Sequence, residues 1–93
     1  MTYGNPRQVE GLEVNEAEDG LVVFDPETDT VHHLNASASL IFELCDGSRD
    51  ADAIATVVGD AYALPSPPRD EVLAGLADLA ERKVIGWPAA ASA

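Results

Sequence analysis

At Asn35 the apolar period of this chain switches, and the switch limits what the chain can fold into. In "DTVHHLNASASLIFELCDG", residues 29–47, apolar and polar residues alternate up to Leu34 and recur at helical spacing from Ala36 onward. A period of two places successive side chains on opposite faces of a sheet, whereas spacings of three and four place them on one face of a helix. A strand must therefore run straight into a helix with a single residue between them. Asn35 suits that junction, because its side-chain oxygen can accept an orphan N–H of a first helical turn. The predicted helix starts at Ala36 and lines up Ala38, Ile41, Phe42 and Cys45 on one face, widened by Leu40 and Leu44. Gly47, after Asp46, supplies a left-handed stop.

Upstream of the switch, residues 9–34 hold three short alternating runs separated by turn residues, the pattern of an antiparallel meander: 9–14, 20–24 and 30–34. Asp19-Gly20 precedes the second run, and "DPET" at 25–28 has Asp and Pro in the order that a type I turn prefers. Downstream, Asp50 caps a predicted helix at 51–62 whose inner face is Ile54, Val57, Val58 and Ala61. "ALPSPP" at 63–68 interrupts it. Ser66 and Pro67 then fit the cap and first position of a third helix over about 68–83. Val72, Leu76, Leu79 and Lys83 form one stripe of that helix, with Leu73, Ala77 and Ala80 beside it. "VIGW" at 84–87 returns as a short strand, and the terminal "PAAASA" is expected to fray.

Ninety-three residues suffice for a single domain, 1–93, with an ordered core over about 8–87, because a chain this short has no material for a second core. The expected fold class is α+β. One cysteine gives no internal disulfide framework and fits a reducing compartment. The absence of an 18-residue apolar run and of a basic-then-apolar opening argues for a cytoplasmic protein with no membrane partner. Seventeen acidic residues face five basic ones, a net charge of −12, and no basic residue lies between Arg7 and Arg49. Nucleic acid is excluded as a partner on that ground, since phosphate binding draws on Lys and Arg. The acidic half is either a solvated face that confers solubility or a field that steers a cationic partner.

Catalysis finds no support in the residues. His32 and His33 are neighbours on a strand and point to opposite faces, so they cannot chelate one zinc ion together. Cys45, on the core stripe near a helix C-terminus, reads as a small buried hydrophobe rather than a nucleophile. There is no Gly-rich phosphate loop and no G-x-S-x-G, and the chain is expected to be too small to enclose a ligand pocket of roughly 300 Å³ or more. The reading is a protein that is not an enzyme, with no catalytic residue, no metal and no cofactor.

What remains is a binding surface. Natural sheets blunt an exposed edge with Lys, Pro, bulges or a covering element. Thr30, Val31, His32, His33 and Leu34 carry none of the sequence devices while the imidazoles are neutral. Either the third helix, the C-terminal segment or a dimer mate covers this edge, or an extended peptide adds to it as a further strand. The two histidines are polar surface or, if protonated, a source of pH sensitivity.

The step "VHHLN" at 31–35, the Ala38, Ile41, Phe42, Glu43, Leu44 face and Asp46-Gly47 resemble the PqqD-like proteins, over about residues 8–87. These are peptide-recognition modules of ribosomally made, post-translationally modified peptide pathways. The resemblance implies a winged helix-turn-helix-like fold, a three-stranded antiparallel sheet followed by three helices. It implies that the leader of a precursor peptide adds beside the third strand and lies against the third helix. The residues carried over are Thr30, Val31, His32, His33 and Leu34 on the strand, and Arg69, Leu73, Leu76, Ala77 and Ala80 on the helix. The function so implied is a non-catalytic, peptide-binding adaptor or chaperone that presents the leader to a separate modifying enzyme, such as a radical SAM maturase or a protease. The alternative is a structural or regulatory homodimer paired through the same edge. Phe42 stands where the family often has Trp, and Lys83 or Val84 where it commonly has Gly.

Overall fold

The computed structural model describes residues 5–87. Its elements run β1 (Arg7–Gln8), β2 (Glu13–Ala17), β3 (Gly20–Asp25), β4 (Thr30–Asn35), α1 (Ala36–Leu44), α2 (Ala51–Ala61), α3 (Arg69–Glu81) and β5 (Ile85–Gly86). The fold class is α+β, with β2, β3 and β4 forming a three-stranded antiparallel meander. The three helices follow it in sequence.

The hairpins are set by local chemistry. Glu18 and Asp19 form the loop between β2 and β3, because Ala17 pairs with Gly20. Gly20 has no substitute there: a Cβ would stand 1.8 Å from the Leu34 carbonyl oxygen of β4. Between β3 and β4 the Asp25 carboxylate accepts from the Glu27 N–H at 3.0 Å, closing the turn that "DPET" predicts. Leu21 and Leu34 face each other across the ladder, and with Val23 they supply the buried side of the sheet, which packs on α1.

The period switch is realised as read. Asn35 ends β4, and its side-chain oxygen accepts from the Ala38 N–H at 2.9 Å, so α1 starts at Ala36. The Asp50 carboxylate caps α2 in the same way, at 2.8 Å from the Ala53 N–H. One core joins β3, β4 and the helices through Val23, Leu34, Phe42, Cys45, Ile54, Val72, Leu76 and Leu79, all at most 5 % exposed. Each such large apolar side chain contributes about 1.5–3 kcal/mol by leaving water.

Three expectations shift. The first strand of the meander is β2, Glu13–Ala17, not 9–14, because the chain turns at Gly11, whose φ is +88°. The residues before that turn serve a different partner: β1 pairs antiparallel with β5, Arg7 opposite Gly86 and Gln8 opposite Ile85. Gln8 N–H donates to the Cys45 carbonyl at 2.9 Å and Val9 N–H to the Val84 carbonyl at 3.0 Å, so this segment ties the end of α1 to the segment that follows α3. Helix α3 begins at Arg69 rather than 68 and has no side-chain cap, so Ser66 does not fill the role predicted for it. The terminal "PAAASA" lies outside the described residues.

Helices α2 and α3 end alike. After α2, Ala63 N–H donates to Asp60 and Leu64 N–H to Gly59; after α3, Lys83 N–H donates to Ala80 and Val84 N–H to Leu79. Both are Schellman closures, which put the residue after the cap in the left-handed region. That residue is Ala63, φ +52°, in one case and Lys83, φ +64°, in the other.

Candidate functional site

The meander has two lateral edges, β2 and β4, and among the described residues neither has a further strand beside it. The C-terminal strand β5 is engaged by β1, so it does not seal β4. Along β4 the side chains alternate: Val31 and His33 are exposed, His32 is half-buried, and Leu34 is 5 % exposed. His32 shares the helix-facing side with Leu34, and His33 shares the opposite side with Val31. Thr30 is exposed at the start of the strand, where its hydroxyl donates to the Thr28 carbonyl at 3.2 Å.

Beside the C-terminal end of β4 an open trough of about 840 Å³ runs between the first turns of α1, the last turns of α2 and the length of α3. Its floor is Ile41, Val58 and Val72, each at most 5 % exposed. Tyr62 and Leu64 stand at one end, both close to half exposed. Asn35, the residue that caps α1, belongs to both features: it is the last residue of the edge strand and part of the trough wall. The expectation that a chain of this length has too little material for a ligand-sized space concerned an enclosed pocket. The space found is a surface groove, built by three helices that splay rather than close.

The α3 side of the trough is Glu71, Val72, Gly75 and Asp78. The helix residues expected to border a groove fall elsewhere. Leu76 is in the core at 1 % exposure, Leu73 and Ala77 are exposed, and Ala80 packs partly against the core. Arg69, the first residue of α3, is exposed and pairs with Asp52 at 3.1 Å. None of these five lines the trough. The trough-facing stripe of α3 lies on the flank of the buried stripe opposite to that of Leu73, Ala77 and Ala80. Gly75 carried a signal: glycine inside a helix marks close approach, and a Cβ there would stand 2.9 Å from the Ile41 Cδ1.

The charged side chains on the trough are both carboxylates, Glu71 and Asp78. Asp78 accepts from the Arg82 guanidinium at 3.0 Å, and Glu71 has no ion pair among the described residues. Cys45 is fully buried, its thiol donating to the Ile41 carbonyl at 3.2 Å. Burial, with the negative charge of Asp46 beside it, pushes that thiol up to about 12, which holds it protonated and unreactive at neutral pH. Among the described residues no three of His, Cys, Asp and Glu come together as metal ligands. No helix among them is long and apolar enough to cross a membrane.

Comparison with known proteins bears on this geometry. The family described as "Coenzyme PQQ synthesis protein D (PqqD)" matches residues 20–85, which spans the meander from β3 through all three helices to β5. No curated protein sequence matches the chain. Among solved structures, TbiB1 in complex with the TbiA(beta) leader peptide superposes with a TM-score of 0.72 at 19 % identity, over 85 % of this chain and 93 % of that one. The solution structure of the PqqD portion of Methylobacterium extorquens PqqCD superposes with a TM-score of 0.69 at 27 % identity, over 87 % of each chain. That protein is described as a functional, stand-alone recognition element for ribosomally synthesised and post-translationally modified peptides.

Proposed function

This chain belongs to the PqqD family, and we propose that it recognises the leader of a ribosomally synthesised precursor peptide by adding that peptide as a strand beside β4. The observation that carries the reading is the position of the edge. The outer backbone groups of β4 lack a strand neighbour among the described residues, and the strand ends at an apolar-floored trough. Strand addition draws affinity from main-chain hydrogen bonds and selectivity from pockets that take alternate side chains. The Leu34 carbonyl points at Gly20 of β3, so Leu34 and His32 pair with β3, and by alternation Val31 and His33 turn their backbone groups outward to such a ladder. The solved neighbours support the reading: one was captured with a leader peptide and the other is described as a recognition element.

The protein then acts as a non-catalytic adaptor. By holding the leader it raises the effective concentration of the rest of the peptide at a separate modifying enzyme, such as a radical SAM maturase or a protease. The test is selection of random linear peptides on the immobilised protein, followed by NMR titration of the enriched sequences into labelled protein. Amide shifts concentrated at residues 30–35 and along α3 are the expected result. Shifts that leave residues 30–35 unmoved would overturn the proposal. Sedimentation of the free protein separates the competing outcome, a homodimer in which two β4 edges pair and their amides are already protected.

A further inference from the structure

We infer that the segment bound in the trough is cationic, with Lys or Arg on either side of an apolar residue; the inference rests on the proposed strand addition at β4 and names the peptide class that it takes. Three observations carry it. First, the trough floor of Ile41, Val58 and Val72 offers only apolar atoms to an incoming side chain. An apolar residue seated there leaves water, which a polar one would do only at the cost of unmade hydrogen bonds.

Second, the charges that line the trough have one sign. Glu71 and Asp78 sit on the wall and no basic residue lines it. They lie seven positions apart on α3, about 10.5 Å at the helical rise of about 1.5 Å per residue. An extended peptide covers that distance in about three residues. Basic side chains three positions apart therefore span the two carboxylates through their flexible stems, while an apolar residue between them meets the floor. An acidic peptide would meet like charges at both points.

Third, the surrounding field agrees with the local one. The chain carries a net charge of −12, and three of its five basic residues are already held by carboxylates: Arg49 by Asp46, Arg69 by Asp52 and Arg82 by Asp78. A field of this size concentrates cationic segments near the surface and repels anionic ones, with a strength that salt screens.

Arg82 makes the idea decisive to test. If the guest is cationic, Arg82 competes with it for Asp78, so Arg82→Gln frees a carboxylate and tightens binding. If the guest is acidic, Arg82 is its nearest counter-charge, and the same substitution weakens binding. The experiment uses the full chain and the enriched synthetic peptides, with affinities by calorimetry. The expected results are enrichment of Lys or Arg around an apolar residue and a several-fold gain in affinity for Arg82→Gln. For Glu71→Gln with Asp78→Asn the expected result is a loss of about threefold to tenfold, as for two partly exposed ion pairs. All these sites are on the surface, so folding is preserved. Peptides that are acidic or uncharged yet still shift residues 30–35, or weaker binding by Arg82→Gln, would overturn the charge assignment and leave strand addition standing. Peptides that never shift residues 30–35 would remove both.

Discussion

The two edges of the meander both pair antiparallel with β3 and differ in what they show to solvent. Strand β2 reads Glu-Val-Asn-Glu-Ala, every residue exposed, with Glu18 and Asp19 continuing the charge around the loop. Strand β4 reads Thr-Val-His-His-Leu-Asn, with no carboxylate and no lysine. They differ in setting as well. β4 packs on α1 and ends at the trough, whereas β2 touches the rest of the fold through β3. Charge on an edge discourages pairing with another strand. The fold thus guards the remote edge with charge and leaves unguarded the one next to a groove, so under the proposed strand addition the asymmetry selects where a strand adds.

The comparison can be broken most severely at Gly20. Gly20→Ala would drive a Cβ into the Leu34 carbonyl and the neighbouring backbone, which cannot step aside as a flexible side chain would. A loss of about 3 kcal/mol or more is expected in urea unfolding, with separation of β4 from β3. Next in size is a transferred guard. Val31→Lys with His33→Lys should weaken binding of enriched peptides about tenfold or more, while stability moves by no more than about 1 kcal/mol because both positions are exposed. The loss should persist in high salt, where repulsion between charges is screened. A smaller effect is expected in hydrogen exchange. Peptide addition should slow the amides of β4 several-fold and leave those of β2 unchanged; equal protection of both strands would erase the distinction between them. The smallest effect comes from stripping the guard. Glu13→Thr with Glu16→Thr should leave stability within about 0.5 kcal/mol and produce weak, concentration-dependent self-association by sedimentation.

What could be read from the sequence followed the range of the interactions involved. Asn35, Asp50 and the turn at Asp25 act on residues two or three positions away, so their effects were written in adjacent letters. The family resemblance likewise rested on a contiguous stretch around the period switch, and the matched residues include it. Pairing of β1 with β5 joins positions nearly eighty residues apart, and nothing in the alternation of residues 9–14 announces that the segment before Gly11 serves another sheet. The bare edge at residues 30–34 was legible because an edge is defined by what its residues lack. The trough wall was not. The buried stripe of α3 has apolar or small residues on both flanks, Leu73, Ala77 and Ala80 on one and Gly75 on the other. Only the packing of Gly75 against Ile41 shows which flank turns toward the groove.

Helix α3 hangs between two joints, Ala63 before it and Lys83 after it, whose backbone adopts a geometry that side chains resist by about 1–2 kcal/mol each. Neither joint lies on the trough or on β4. Glycine at both positions should therefore add about 1 kcal/mol apiece, or several degrees of melting temperature for a domain of this length, without altering the surface proposed to meet a peptide. A hardier scaffold with unchanged recognition is thus within reach of a double substitution, which would give a convenient parent for reprogramming the groove.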